Sequence, residues 1–446
     1  MAPRRAPRTA PRTAPRTVPR TGPRTGPRTQ PHAALRAGPE PHLAPGRPHI
    51  GALDGLRGLA VAAVLLFHAG HLPGGFLGVD LFFVLSGFLI TGLLLEELGG
   101  HGRPALVAFW GRRARRLLPA LTVMVIATLL LAWAFAPPAM LGPALDDAPW
   151  VAAQSVNWHF IGERIGYWNA SGTRLFAHLW SIGVEWQFYL AWPLVVAVAG
   201  RGRGGQRRVA VVAVAGALVS LLLMIRLGVA VDTTRAYEGT DTRAFSLLLG
   251  AAAATAPHFG PHFGPVRDAV AALPRAAADA LCAVLLGGLC AAWLLTAGEK
   301  APGLFQGGMF AHSLGCAVLI ALLARSPDGR AGRVIGSAVP RRLGELSYSL
   351  YLWHWPVYLL LPRPPAGNWV WDWGWTLLAV GLSLLAAVVS KAAVEDPVRL
   401  RTRWATGRRG WAALAVAGAV AAGLWAAIPR PVPGAGTVDV SRLDQL

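Results

Sequence analysis

The chain has 446 residues, of which 54% are hydrophobic and only 14% charged, with a formal net charge of +20. Apolar runs of about 20 residues recur along it, which excludes a soluble globular protein and indicates an all-α, polytopic membrane bundle. A β-barrel is excluded as well, because its strands would alternate polar and apolar positions over about 10 residues, whereas these runs are apolar all round.

Residues 2 to 48 repeat Pro-Arg-Thr every four residues with almost no apolar side chains, so they are expected to be disordered and polyproline-like. Ten arginines against the single acid Glu40 suit a tail lying on anionic cytoplasmic headgroups. Nucleic-acid binding is not expected, since aromatic stacking residues are absent. No signal-peptide cleavage pattern precedes the first span. Eleven spans are expected, at about 53–70, 77–97, 117–136, 179–199, 209–230, 243–256, 276–297, 306–324, 343–361, 373–393 and 411–428. The sixth is the shortest. With the N-terminus cytoplasmic, 31 of the 42 Lys and Arg fall inside. Eight fall outside: Arg164, Arg174, Arg235, Arg243, Lys300, Arg363, Arg430 and Arg442. This bias puts the N-terminus inside and, after eleven spans, the C-terminus outside.

The first span opens LDGLRGLA and ends at His68. Arg57 and His68, eleven residues apart, share one helix face about 16 Å apart along the axis. Ionisable groups on one stripe of a spanning helix mark a functional face; the alternative has Arg57 snorkelling to headgroups and His68 hydrated. The second span, GVDLFFVLSGFLIT, carries Asp80, Phe82, Phe83, Ser86 and Gly87. The loop FWGRRARRLLPALTV at 109–123 leads into the third span; its arginines are either a positive-inside anchor or guanidinium forks for phosphate. The outer segment 137–178 holds Trp150, Asn157, Trp158, His159, Tyr167, Trp168 and Asn169, readable as an interfacial belt or as a saccharide-binding lip. In the fourth span, HLWSIGVEWQFYLAWPL, Glu185 needs a partner or a proton. It is read either as an ion pair, with Arg226 a candidate, or as a group that orients the reacting histidine. The ninth span, LGELSYSLYLWHWPVYLL, places His354 near mid-membrane, as a site group or as a structural histidine. Cys282, Cys290 and Cys316 lie within spans, and His258 and His262 belong to a doubled HFGP unit. Neither a disulfide framework nor a metal site is expected. No P-loop or nucleophile elbow appears.

These blocks together resemble the membrane-bound acyltransferase 3 family. The likeness rests on Arg57 and His68 with ten residues between them and on the FFxxSG block from Phe82 to Gly87. It also rests on an RxxR pair, Arg113 with Arg116 or Arg112 with Arg115, and on WSIGVEWQFY. The ninth-span pattern of Gly344, Ser347, Tyr348, Tyr351, His354 and Pro356 and the closing VEDPVR complete it. The resemblance covers about residues 50–400. It implies a basic tail at 1–50, a family membrane domain at 51–400, a linker and extra span at 401–428, and a short extracytoplasmic tail at 429–446. It further implies an enzyme of the plasma membrane, an O-acyltransferase acting on an extracytoplasmic carbohydrate or glycosylated acceptor. The co-substrate would be acyl-CoA, acetyl-CoA by resemblance, with no bound cofactor. Catalytic roles fall to His68 and Glu185, and substrate or acyl-CoA binding to Arg57, Arg113, Arg116, Asp80, Ser86, Tyr348 and His354. In two-domain relatives the extra span leads to an extracytoplasmic hydrolase-like domain. Here that partner is expected as a separate polypeptide, or the acceptor needs none. The alternative reading is a glycoconjugate transporter or flippase, for which the internal repeat usual in transporters is missing.

Overall fold

The computed structural model describes residues 50–168, 172–229, 232–255, 273–301, 303–364, 368–398 and 407–431. The Pro-Arg-Thr tail, Asn169, His258, His262, residues 399–406 and residues 432–446 lie outside the described residues. Each expected span is met by a helix: α1 (Gly51–His68), α2 (Gly78–His101) and α3 (Leu106–Phe135). Two helices, α4 (Pro138–Ala152) and α5 (Val156–Gly162), fill the segment that the sequence leaves as an aromatic loop. Then follow α6 (Trp180–Ala199), α7 (Gly205–Leu227), the short α8 (Thr234–Glu238) and α9 (Thr240–Thr255). The chain continues with α10 (Arg275–Leu295), α11 (Met309–Arg325), the short α12 (Arg330–Ile335) and α13 (Ala338–Leu360). It closes with α14 (Trp369–Ser390) and α15 (Gly407–Ala427).

Among the described residues nine helices are long and apolar enough to cross a membrane, and the protein is a multi-pass membrane protein. The two expected spans below that mark are informative. Helix α9 has 16 residues, about 24 Å, short of the roughly 30 Å hydrocarbon core. Helix α13 has 23 residues, but Ser347, Tyr348, Ser349, Tyr351 and His354 lower its hydropathy.

Three expectations are corrected. The arginine-rich stretch at 109–123 is not a loop, because α3 starts at Leu106 and carries Arg112 to Arg116 on its first turns. Arg243 is not an outer-surface cation. It is fully buried in α9 and paired with Asp80, Nη2 to Oδ1 at 3.0 Å. Glu185 is met by the Ser86 and Tyr189 hydroxyls rather than by Arg226.

Small residues set the packing. Helices α1 and α13 run in the same direction, and their backbones nearly touch. A Cβ on Gly58 would stand 2.0 Å from the Pro340 carbonyl oxygen, and one on Gly344 1.8 Å from that of Asp54. Helices α2 and α9 meet likewise, at Gly87 against Leu247 and Gly250 against Val84. Hydrocarbon gives no hydrophobic drive for helix association, so such close backbone contact is where dispersion is gained. Outside the spans, α4 and α5 are tied down by buried Asp147, which accepts from Arg174 Nη1 at 2.5 Å and lies 3.3 Å from His159 Nε2. Burial pushes the Asp147 carboxyl up to about 7, with Arg174 pulling it the other way.

Gly87→Val should therefore destabilise the bundle by about 1–3 kcal/mol, the usual cost of overpacking. Gly418→Val on α15, where a Cβ meets nothing within 4 Å, should be near neutral. Thermal unfolding of the two variants in the same detergent reads the difference, and equal melting shifts would disprove the close-contact account.

Candidate active site

The α1–α13 contact brings Arg57 and His68 against two partners seven residues apart on α13. Arg57 donates to Ser347 Oγ from Nε at 3.2 Å and from Nη2 at 3.0 Å. His68 Nδ1 lies 2.9 Å from His354 Nε2, and His68 Nε2 lies 2.9 Å from the Tyr167 hydroxyl. The shared helix face read from the eleven-residue spacing is thus the face that α13 covers.

The histidine protons follow from the partners. His354 Nδ1 lies 2.7 Å from the Tyr351 carbonyl oxygen, which can only accept, so His354 Nδ1 carries the hydrogen. In the neutral ring His354 Nε2 is then bare and accepts from His68 Nδ1, which leaves His68 Nε2 as the lone-pair nitrogen. Tyr167 fits that assignment as donor. Burial, with Tyr237 beside it, pushes its phenol well above the ordinary value, and it keeps its proton. The result is one directed chain, from Tyr167 to His68 to His354 to the Tyr351 carbonyl. The rings around it are Trp355, 4.5 Å from His68 between centroids, and His178, 5.5 Å from His354. Tyr351 in turn donates to the His178 carbonyl oxygen at 2.8 Å, and Ser181 Oγ lies 2.7 Å from its hydroxyl.

A second polar centre surrounds Arg57, deeper in the bundle. The Ser86 and Tyr189 hydroxyls both donate to Glu185 Oε1. Arg113 lies over the Tyr189 ring, 5.7 Å from its centroid. Arg57 and Arg113 both feel the charges of Arg116 and Glu185. Arg112, one position away, points elsewhere and pairs with Glu97 at 2.5 Å. Of the two registers open in the sequence, Arg113 with Arg116 is the pair that faces Arg57. Phe82 stands between the two centres: the Arg57 guanidinium lies 5.7 Å from its ring, and the Tyr351 ring packs edge-on at 6.5 Å.

The remaining sequence candidates lie apart from His68. Tyr348 donates to the Leu117 carbonyl oxygen at 2.7 Å and links α13 to α3. Asp80 accepts from Ser246 at 2.8 Å besides pairing with Arg243, which is boxed by Tyr237, Trp180 and Phe83. Glu185 is beside Arg57, and the group that holds His68 Nδ1 is His354. Sequence reasoning missed Arg243 and His178, and it left Tyr167 among belt or lip aromatics. The HLWS stretch that opens the fourth span already contains His178, a histidine at the edge of an apolar run. Trp150 and Trp158 are 45% and 39% exposed, with Trp150 stacked on His159 and Arg235 over the Trp158 ring. Among the described residues no group of His, Cys, Asp and Glu could hold a metal ion.

Residues 50–392 match the family described as an acyltransferase domain. The chain is 32% identical over 365 residues to the peptidoglycan O-acetyltransferase of Listeria monocytogenes, covering 79% of this chain and 56% of that protein. It is 32% identical over 351 residues to an O-acetyltransferase of Staphylococcus aureus, covering 78% and 57%. The chain thus spans little more than half the length of the curated relatives it matches. No solved structure matches it significantly.

The proton assignment is open to measurement. In protein with 15N-labelled histidine at neutral pH, the His68 signals should show a protonated Nδ1 and a bare Nε2, and His354→Leu should turn them into a tautomer mixture. A protonated Nε2 in the unaltered protein would refute the chain as drawn.

Proposed function

The chain belongs to the acyltransferase 3 family, and from that membership and the geometry around His68 we propose that it is a membrane O-acetyltransferase. It moves an acetyl group from cytoplasmic acetyl-CoA to a hydroxyl of a cell-wall carbohydrate, peptidoglycan being the acceptor named for its Listeria monocytogenes relative. The observation that carries this reading is the position of His68 between His354 and Tyr167, which assigns it a bare Nε2 facing the segment that enters α6. An acceptor hydroxyl that takes the place of the Tyr167 phenol meets that lone pair at hydrogen-bond distance, the first requirement of a general base.

In the proposed reaction the acceptor O–H gives its proton to His68 Nε2 while its oxygen attacks the thioester carbonyl. The C–S bond breaks, the imidazolium returns the proton to the departing thiolate, and the products are the acetyl ester and free CoA. Because the proton is taken at Nε2, Nδ1 keeps its hydrogen bond to His354 throughout. Arg57, Arg113 and Arg116 supply the positive charge for the donor's phosphates, where guanidinium forks bind well. Arg57 and His68 are about 16 Å apart along α1, a separation that an extended pantetheine arm bridges. In this reading the N-terminus is cytoplasmic and the C-terminus outside, an orientation that the positive-inside bias supports.

Purified protein given labelled acetyl-CoA and a muropeptide acceptor tests the proposal. His68→Ala should lower kcat at least about 100-fold, the lower range for loss of a positioned base. Arg113→Ala should mainly raise KM for acetyl-CoA, by about tenfold for one lost charge-assisted contact. Transfer at an undiminished rate by His68→Ala, inserted at normal levels, would remove the histidine from the chemistry.

A further inference from the structure

Helix α15 lies beyond the residues matched to the family domain and is attached to the bundle only lightly. It runs parallel to α3. At one end Trp411 comes close to Gly111, where an added Cβ would stand 3.9 Å from the indole. At the other end Trp425 Nε1 donates to the Leu145 carbonyl oxygen at 2.8 Å, and Arg430 pairs with Asp146 at 2.9 Å. Between these two attachments the helices do not close fully on each other. They leave a slot of about 690 Å³ whose wall is apolar except for Arg115, Thr122 and Gln154. Leu118, Val125 and Leu129 form one side of it, and Leu414, Ala417 and Ala421 the other. Near Trp411 the slot meets a wider cavity of about 1240 Å³; Arg115, Gly410 and Leu414 line both. That cavity carries Arg103, Arg112 and Arg115 against one carboxylate, Glu97.

A slot of this size with a largely apolar wall offers water few partners, and a spanning helix surrounded by lipid does not leave it unfilled. A basic mouth continuous with an apolar slot has the shape and charge of one kind of ligand. We propose that the α3–α15 groove is a binding site for an anionic glycerophospholipid, with its phosphate at Arg103, Arg112 and Arg115 and an acyl chain in the slot. Basic pockets between spanning helices are suited to such headgroups. The bound lipid fills the space that α15 leaves and serves as a third point of attachment for it. This inference needs only the membrane bundle and does not depend on the acetyltransferase reading.

Native mass spectrometry of the protein released from vesicles of equal phosphatidylglycerol and phosphatidylcholine reads the site. Phosphatidylglycerol should be retained at least about tenfold over phosphatidylcholine. The double variant Arg103→Gln/Arg112→Gln should lose that preference, and Ala421→Phe, which fills the slot without touching the charges, should lower retention of both lipids. Equal retention of the two lipids, or unchanged retention in Ala421→Phe, overturns the proposal. Displacement of the lipid by free coenzyme A, abolished by the arginine changes, also overturns it, since the pocket would then belong to the acyl donor.

Discussion

The 2.9 Å contact between His68 and His354 depends on how closely α1 approaches α13. Side chains as short as imidazole can meet only if the helix backbones come nearly into contact, and the glycines at 58 and 344 permit that approach. The same approach delivers Ser347 to Arg57. Both polar centres of the bundle therefore hang on one helix pair, formed by the first and ninth spans, far apart in the chain and parallel in space. In a low-dielectric interior each polar atom without a partner costs far more than it would in water. Register along the pair is accordingly specified twice, once at Arg57 and once at His68.

Buried charge in this bundle is of two kinds. Asp80 and Arg243 are fully buried, paired with each other, supported by serines and enclosed by aromatic rings. Such a pair gains little net stability but loses much if one partner is removed, so it acts as a fixed strut between α2 and α9. The cluster around Arg57 is more diffuse: Arg57, Arg113 and Arg116 share it with Glu185, Asp54 and Glu395.

The segment that carries Tyr167 covers His68 by aromatic packing rather than by charge. The Tyr167 ring lies 5.0 Å from that of Tyr237, and Trp168 lies 5.1 Å from Phe76. Such contacts are dispersive and contribute individually small energies.

Composition and the positions of apolar runs were enough to determine an α-helical membrane bundle, because hydrocarbon forces the backbone to satisfy its own hydrogen bonds. The spacing of Arg57 and His68 determined that they share a face, because the helix period is fixed by covalent geometry. Motif wording pointed to the family. What pairs with what was decided by tertiary structure alone. Glu185 and Asp80 read alike in the sequence, as lone carboxylates in spans, yet one accepts from Ser86 and Tyr189 while the other pairs with Arg243 in the core. Arg113 and Arg112 differ by a 100° turn of α3, and only the neighbours of that helix select which one faces inward. His354 takes the place beside His68 that Glu185 seemed to offer, and no periodicity reveals it. Partnership between side chains hundreds of residues apart depends on how helix backbones cross, and local sequence fixes the helices without fixing the crossings.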